Sequence, residues 1–195
     1  MKVAIIKYPG GNVLSVDLAL KRLGIQPVVS ADPEYILAAD RIIFPGVGEA
    51  ATTMQYLRRT GLDGLLTSIR QPFLGICLGM QLMCSRSEEG NVDCLGIFPE
   101  EVVRLRPACG EKVPHMGWNQ VTNIRGRLMN NIKEGTYMYF IHSYYVTPGE
   151  NTVAITDYVQ PFSAALEKGN FFATQFHPEK SGMAGEQLLK NFINL

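Results

Sequence analysis

The sequence predicts an α/β fold: an open, twisted, mostly parallel sheet flanked by helices, with additional antiparallel strands in the second half. In the first half, short apolar runs alternate with segments of helical periodicity, as in βαβ units with right-handed crossovers. After about residue 95 the helical segments stop and strand-like runs follow one another. With 46% hydrophobic and 18% charged residues among 195, the chain is expected to form a single domain over 1–195.

Four strands separated by helices are predicted for the first half. Apolar runs rich in β-branched side chains predict strands at 3–6, 27–29, 41–44 and 73–76. Apolar positions three and four residues apart predict helices at 13–23, 33–39, 49–59 and 62–69. Asn12 and Asp32 are residue types that cap helices, and Gly24 can end the first helix. This alternation indicates parallel strands with helical crossovers.

The second half is predicted to be mostly β-structure. Runs of aromatic and β-branched residues predict strands at 101–106, 120–124, 137–145, 152–156, 162–167 and 171–176. Lys168-Gly169-Asn170 is typical of a hairpin turn between the last two strands. A final helix is predicted at 181–195, where apolar side chains form a stripe.

Charge and composition narrow the classes of partner. The formal net charge is +0, and no run of basic or acidic residues marks a nucleic-acid or membrane surface. No apolar stretch is long enough for a membrane span or a signal-peptide core, so a cytoplasmic protein is expected. The four cysteines form no C-x-x-C pair and the three histidines are scattered, which predicts free thiols and no metal site.

One short segment has the pattern of a nucleophile elbow. Gly75-Ile76-Cys77-Leu78-Gly79 follows an apolar strand and leads into a helical segment, with a thiol at the turn. Glycines two residues on either side leave space for a tight backbone, and a helix N-terminus favours the thiolate form. The alternative is a buried cysteine that begins a core helix. Cys77 is therefore the candidate nucleophile.

A candidate base lies near the end of the last predicted strand. The proline in His177-Pro178-Glu179 disfavours a helical conformation of the residue before it, so His177 should be extended. Alternation along an extended chain would then put His177 and Glu179 on the same side. The carboxylate can hold one ring nitrogen while the other faces the thiol, which is the logic of a catalytic triad.

Pro45-Gly46-Val47-Gly48 is the candidate oxyanion loop, because it follows a strand whose carboxyl end should lie beside the elbow. The backbone N–H of Leu78 would be one donor, and a second would come from this loop. Glycines on both sides of Val47 permit close approach and a flip of the peptide. An ordinary turn before a helix is the alternative interpretation.

Two motifs together resemble the class I (triad) glutamine amidotransferases, whose core sheet is flavodoxin-like. These are the segment from Gly75 to Gln81 and the segment from Gln175 to Glu179. Within that class, further motifs resemble the glutaminase subunits of imidazole glycerol phosphate synthase. They lie at 45–48, 115–119, 140–145 and 177–181.

The resemblance implies a role for each site residue. Cys77 would attack the side-chain amide of glutamine, His177 would transfer the proton to ammonia, and Glu179 would orient His177. Water would then hydrolyse the thioester. The substrate and the oxyanion would be held by the residues Val47, Gly48, Leu78, Gln81, Ser143 and Tyr144. His142 would shape the pocket rather than act as a base.

The released ammonia needs an acceptor, and the sequence shows no site for one. It contains neither a phosphate-binding Gly-x-x-x-x-Gly-Lys loop nor a dinucleotide fingerprint, so no cofactor is expected. The resemblance implies a heterodimer with a cyclase subunit, a (β/α)₈ barrel. That partner would use the ammonia to make imidazole glycerol phosphate and aminoimidazole carboxamide ribotide in L-histidine biosynthesis. The candidate interface residues are Asn12, Trp118, Tyr139 and Lys180.

Three alternatives remain at this stage. A paralogous glutaminase could supply a different synthase that amidates a surface sugar, and only the identity of the partner would distinguish it. A glutaminase of vitamin B6 synthesis should carry Gly-Gly-Glu-Ser in the oxyanion loop, and Val47 and Gly48 speak against it. A non-catalytic regulatory subunit of this fold should lack the nucleophile or the base, whereas this chain has both Cys77 and His177.

Overall fold

A computed structural model describes residues 1–10, 13–107 and 110–195. The strands are β1 (Val3–Ile6), β2 (Val28–Ser30), β3 (Arg41–Phe44), β4 (Phe73–Ile76), β5 (Arg86–Ser87), β6 (Val92–Asp93), β7 (Glu101–Arg104), β8 (His115–Val121), β9 (Thr136–His142), β10 (Tyr144–Val146), β11 (Thr152–Asp157), β12 (Pro161–Lys168) and β13 (Phe171–Thr174). The helices are α1 (Val13–Arg22), α2 (Pro33–Leu37), α3 (Ala50–Thr60), α4 (Leu62–Ser68), α5 (Leu78–Met83) and α6 (Gly182–Ile193), with a 3₁₀ turn at Pro178–Lys180.

The main sheet has seven strands in the order β11-β12-β13-β4-β3-β1-β2. The five strands from β13 to β2 are parallel, and β12 and β11 continue the sheet in antiparallel orientation. The predicted mixture of a parallel core and later antiparallel strands is therefore confirmed. Neighbouring strands β13 and β4 are almost a hundred residues apart in sequence, and their register pairs Thr174 with Ile76.

Apolar layers cover both faces of the sheet. Along β1, Val3 and Ile5 belong to the cluster packed against α1 and α6, whereas Ala4 and Ile6 belong to the cluster packed against α2 to α5. Alternate side chains of a strand point to opposite faces, so a strand buried on both sides must be apolar throughout. This explains the continuous apolar runs of the first half.

The second half also forms structure outside the main sheet. A four-stranded sheet has the order β10-β7-β5-β6, and β8 and β9 form a separate hairpin. The strand predicted at 137–145 is interrupted at Ser143, because the chain stops pairing with β8 at His142 and begins pairing with β7 at Tyr144. Only the first two residues of the strand predicted at 120–124 belong to β8, which begins at His115 and ends at Val121. Thr122 forms an isolated bridge with Ile155.

Several boundaries differ from the sequence prediction. The sequence analysis did not predict β5 and β6, which are two residues each and contain three polar residues and Val92. The segment at 181–195 begins as a helix at Gly182, directly after the 3₁₀ turn. In the described part of the chain, no helix has both the length and the apolar character to cross a membrane.

Candidate active site

The predicted elbow is present at the carboxyl end of β4. Cys77 joins β4 to α5 with φ 52° and ψ −106°, a conformation that L-residues rarely adopt. Such backbone strain costs about 1–3 kcal/mol and needs support from its surroundings. The Cys77 N–H donates to the Thr174 carbonyl at 2.7 Å, and the Cys77 carbonyl accepts from the Gln81 N–H at 3.1 Å. The neighbouring strand and the first turn of α5 thus hold the thiol in place.

Glycines allow the elbow and the 45–48 loop to touch through their backbones. A Cβ on Gly79 would lie 2.1 Å from the Phe44 carbonyl oxygen, and one on Gly46 would lie 2.1 Å from the Ile76 carbonyl oxygen. A Cβ on Gly75 would lie 2.8 Å from the Gly79 carbonyl. At Gly46 and Gly79 the neighbours are backbone atoms of the facing segment, so a side chain there would force the two segments apart. A Cβ on Gly75 would clash within the elbow and its helix, where the Met83 Sδ would also lie 2.5 Å away.

The candidate base lies beyond β13 and is paired as the sequence suggested. The His177 Nδ1 lies 2.7 Å from the Glu179 Oε1, and both side chains are 2% exposed. His177 is extended, as the following proline requires, but Glu179 lies in the 3₁₀ turn rather than on an extended chain. The proposed reason for their pairing, alternation along a strand, was therefore wrong. The tight turn brings the carboxylate back to the ring.

His177 is held between the sulfur and the carboxylate. Burial by itself lowers the pKa of His177, but the nearby Cys77 sulfur and the Glu179 carboxylate outweigh burial and raise it to about 10. The Nε2 atom is buried and makes no hydrogen bond with any described residue. This nitrogen is therefore available to exchange a proton with the thiol or with a bound molecule.

A cavity of about 300 Å³ opens over the thiol. The two catalytic candidates Cys77 and His177 line it, as do the predicted substrate and oxyanion residues Val47, Gly48, Leu78, Gln81, Ser143 and Tyr144. The structure thus brings these residues together from four separate segments around one small volume.

The Gln81 side chain bridges the backbone of Tyr144 and the side chain of Gln175, which in turn lies near the thiol. Its Nε2 donates to the Tyr144 carbonyl at 2.8 Å and to the Gln175 Oε1 at 3.1 Å. The Gln175 Nε2 in turn lies 3.7 Å from the Cys77 Sγ. Since both N–H bonds of the Gln81 amide are used within the protein, its Oε1 is the atom left for a ligand. Gln175 was part of the motif recognised in the sequence, but its role was not predicted.

Glu89 lines the same cavity and was missed by the sequence analysis. One of its oxygens accepts from the Ala50 N–H at 2.9 Å. Burial raises the pKa of this carboxyl, the Ala50 N–H opposes that change, and the nearby Glu49 carboxylate adds to it. Glu89 follows α5 in an irregular polar segment with no motif, so its only signal was a carboxylate within a few residues of the elbow helix.

His142 and His115 form a buried hydrogen-bonded pair beside the cavity. The His142 Nδ1 donates to the Tyr144 carbonyl at 2.8 Å, which leaves Nε2 to accept from the His115 Nδ1 at 3.0 Å. Burial lowers the pKa of His142 to about 3 and that of His115 to about 4, so both rings are neutral at pH 7. With both nitrogens engaged, His142 supports the backbone of the cavity wall.

Three of the four predicted interface residues lie on one surface, which we call the docking face: Trp118, Tyr139 and Lys180. Trp118 is 55% exposed and packs edge-on against Tyr139, with ring centroids 5.9 Å apart. The Lys180 Nζ lies 5.8 Å from the centre of the Tyr139 ring. Asn12 lies outside the described residues. Trp118 is therefore a surface residue rather than part of the core.

The cysteines do not form a metal site in the described part of the chain. Cys77, Cys84 and Cys94 are free thiols, and Cys109 lies outside the described residues. Among residues 1–10, 13–107 and 110–195, no cluster of three or more histidine, cysteine or carboxylate side chains could bind a metal ion.

Comparison with known proteins gives a consistent family assignment. The model of the glutamine amidotransferase class-I family matches residues 15–195. Imidazole glycerol phosphate synthase subunit HisH is 60% identical in Bacteroides fragilis, 58% in Bacteroides thetaiotaomicron and 47% in Escherichia coli. Each of these alignments covers 100% of both chains.

Solved structures share the fold at low sequence identity. A glutamine amidotransferase superposes with a TM-score of 0.75 at 20% identity, covering 98% of this chain and 97% of the other. PurLQS from Thermotoga maritima gives a TM-score of 0.70 at 17% identity, covering 99% and 97%. These likenesses bear on the fold alone, and they confirm the fold class predicted from the sequence.

Proposed function

Because the chain belongs to the class-I glutamine amidotransferase family, we propose that it is the glutaminase subunit of an imidazole glycerol phosphate synthase. It hydrolyses L-glutamine to glutamate and ammonia, and a cyclase subunit uses the ammonia in histidine biosynthesis. The observation that carries this proposal is that Cys77 and His177 line the same small cavity and that the buried Glu179 carboxylate holds the other side of the His177 ring. Identities of 47–60% over the whole chain to synthase subunits disfavour a different synthase or a non-catalytic role.

The reaction begins at the thiol. The Cys77 sulfur attacks the γ-carboxamide carbon of glutamine, and a tetrahedral intermediate with a negatively charged oxygen forms. His177 gives the proton on Nε2 to the departing nitrogen, so ammonia leaves and a γ-glutamyl thioester remains. Water then adds to the thioester with His177 as the base, which releases glutamate and restores the thiol.

The oxyanion is stabilised by backbone donors. The Leu78 N–H is one donor, because it follows the nucleophile at the start of α5. The second comes from Val47 or Gly48, which line the cavity opposite the elbow. Loss of one such donor typically lowers the rate about 100- to 1,000-fold.

Glu179 is a positioning residue in this scheme. Its contact with Nδ1 fixes the ring so that Nε2 faces the sulfur, and its charge stabilises the imidazolium that forms. The carboxylate itself transfers no proton. Its burial alongside His177 keeps this interaction strong, because water does not screen it.

The amino acid end of glutamine binds at the opposite side of the cavity. The Gln81 Oε1 and the Glu89 carboxylate are hydrogen-bond acceptors, which suits the substrate's α-ammonium group. We assign the α-carboxylate to the backbone around Gly48, Ser143 and Tyr144. A substrate held at both ends presents its amide to Cys77.

The partner subunit is a (β/α)₈-barrel cyclase that binds the docking face as a heterodimer. This face adjoins the catalytic segment, since the Tyr139 carbonyl accepts from the His177 N–H at 2.9 Å and Lys180 follows Glu179 directly. Aromatic anchors such as Trp118 favour a protein interface. We further propose that the enzyme works in the cytoplasm without a bound cofactor and without nucleic-acid or membrane partners.

The proposal is tested by reconstitution with a cyclase subunit of imidazole glycerol phosphate synthase from the same organism. Glutamine should support formation of imidazole glycerol phosphate by the mixture, and Cys77→Ala should abolish both this and glutamate release. Ammonium chloride should restore product formation with Cys77→Ala, because the cyclase then needs no glutaminase. Cys94→Ser, at a free thiol that does not line the cavity, serves as the matched control. Glutamate release that survived Cys77→Ala would refute the nucleophile, and failure of glutamine where ammonium succeeds would refute the pairing.

A further inference from the structure

We infer that the Tyr8 hydroxyl is a positioning group that fixes the orientation of the oxyanion loop, residues 45–48. The inference rests on the proposed function, since it assigns Tyr8 a part in the same glutaminase reaction. Tyr8 follows β1, and β1 is the neighbour of β3, the strand that leads into the loop. Tyr8 itself does not line the cavity, so its influence on the substrate must act through the loop.

The hydroxyl of Tyr8 contacts the loop at two points. It donates to the Pro45 carbonyl at 2.7 Å and to the Val47 carbonyl at 3.2 Å. The ring is buried and packs edge-on against Phe44, with centroids 5.3 Å apart. A single buried side chain therefore bridges the beginning and the middle of a four-residue loop, over a rigid base of core aromatics.

The environment keeps this hydroxyl a donor. Burial raises the pKa of Tyr8 well above its ordinary value, and the hydrogen bond to Val47 only partly opposes that change. The phenol therefore keeps its proton throughout the neutral pH range. Because two carbonyl oxygens share one proton, the interaction is a three-centre bond that fixes both carbonyls relative to each other.

The contact with Val47 determines where the next N–H points. In a planar trans peptide the carbonyl and the N–H point in opposite directions. With the Val47 carbonyl held against Tyr8, the Gly48 N–H is directed to the other side of the loop, and Gly48 is a residue that lines the cavity. Gly48 has φ +129°, which only glycine adopts readily, so the loop has an unusual shape that benefits from an external anchor.

The other contact ties the loop to the elbow. Pro45 precedes Gly46, the residue whose backbone is packed directly on the elbow. Tyr8 therefore holds the loop on one side while the elbow bounds it on the other. The oxyanion needs two N–H donors, that of Leu78 and one in the loop. Tyr8 therefore adds to the elbow contact of Gly46 in fixing the distance between these donors.

The substitution Tyr8→Phe removes the hydroxyl and retains the ring on Phe44. Tyr158→Phe is the matched control, because the Tyr158 hydroxyl also donates to a backbone carbonyl, that of Lys112 at 2.9 Å, and does not line the cavity. Both variants are assayed as the complex with the cyclase subunit. We expect Tyr8→Phe to lower kcat for glutamine hydrolysis about 10-fold, less than loss of a whole oxyanion donor, with KM and the Tyr158→Phe control near wild type.

A second measurement separates positioning from general disruption. Alkylation of Cys77 by iodoacetamide needs the thiol but develops no oxyanion, so its rate should be the same in Tyr8→Phe and wild type. A kcat that is unchanged or raised in Tyr8→Phe would overturn the inference, and so would an equal loss of kcat and of alkylation rate. Absence of glutaminase activity in the wild-type complex would instead contradict the proposed function, so the two failures are distinguishable.

Discussion

Replacing Gly46 by alanine tests how far the active site depends on backbone contact between the loop and the elbow. The added Cβ would lie 2.1 Å from the Ile76 carbonyl oxygen, 2.3 Å from the Leu78 nitrogen and 2.6 Å from the Gly79 nitrogen. Ordinary van der Waals contact begins near 3.4 Å. All three neighbours are backbone atoms, so no change of rotamer relieves the clash, and the two segments must separate by roughly 1 Å.

The cost of that separation has two components. Insertion of a methyl group into a well-packed region costs about 1–3 kcal/mol, so we expect the free energy of unfolding to fall by about 2 kcal/mol. A misplacement of about 1 Å at a catalytic group costs about 100-fold in rate, and the displaced loop carries one of the two proposed oxyanion donors. We therefore expect kcat for Gly46→Ala to fall by about 100-fold or more.

Urea unfolding and steady-state glutamine hydrolysis by the complex measure the two effects. Gly64→Ala is the matched control, because Gly64 lies in α4 with nothing within 4 Å of its Cβ position. Alanine is the better helix former by about 1 kcal/mol, so this control should be slightly stabilised and fully active. The reasoning is refuted if Gly46→Ala unfolds like wild type and retains at least half of its activity.

Three further predictions concern titratable groups. Glu179→Gln should lower the pKa of His177 and reduce kcat about 100-fold, since acid–base catalysis contributes about 10²–10⁴-fold; an unchanged pH–rate profile would contradict the positioning role. Glu89→Gln should raise KM for glutamine about 10-fold and leave kcat near wild type, because a charge-assisted hydrogen bond contributes about 1.5–3 kcal/mol; an unchanged KM would remove Glu89 from the substrate site. Because the pKa of His142 in the folded chain is about 3, His142 becomes protonated in the unfolded chain at pH values where it stays neutral in the folded chain. The neutral His142 ring therefore stabilises the folded state fully above about pH 6.5. As the pH falls below that value the free energy of unfolding decreases, by about 2 kcal/mol at pH 5. Urea unfolding of His142→Asn should accordingly show a weaker loss of stability between pH 7 and pH 5, and an equal loss would contradict this assignment.

The elbow and the base were predictable because their signals are local. The strand, the turn and the start of α5 lie within a few residues of Cys77, and the glycines needed for close packing, Gly75 and Gly79, flank it two residues away on either side. His177 and Glu179 are two residues apart, so their pairing was found even though the 3₁₀ turn, rather than strand alternation, produces it. Motifs of this kind depend on short-range geometry.

Other parts of the site have no local signal. Glu89 lies in the turn between β5 and β6, which has no periodicity, and its carboxylate accepts from the Ala50 N–H at the N-terminus of α3. Tyr8 looks like an ordinary loop residue until β1 and β3 are placed side by side. The change of strand partner at Ser143 likewise depends on pairing with β7 and β8. Both strands are more than 20 residues away in the sequence, so the residues around Ser143 do not reveal it.

The class of fold and the candidate nucleophile, base and carboxylate could be read from the sequence alone, because apolar periodicity and turn-forming residues act over a few positions. The tertiary structure decided how these pieces meet. The pairing of β13 with β4 lets the Thr174 carbonyl hold the Cys77 N–H and brings His177 to the thiol across almost a hundred residues. That pairing follows from burying both faces of the sheet at once, a property of the whole chain, and the contacts of Tyr8, Glu89 and Gln175 depend on the same global packing.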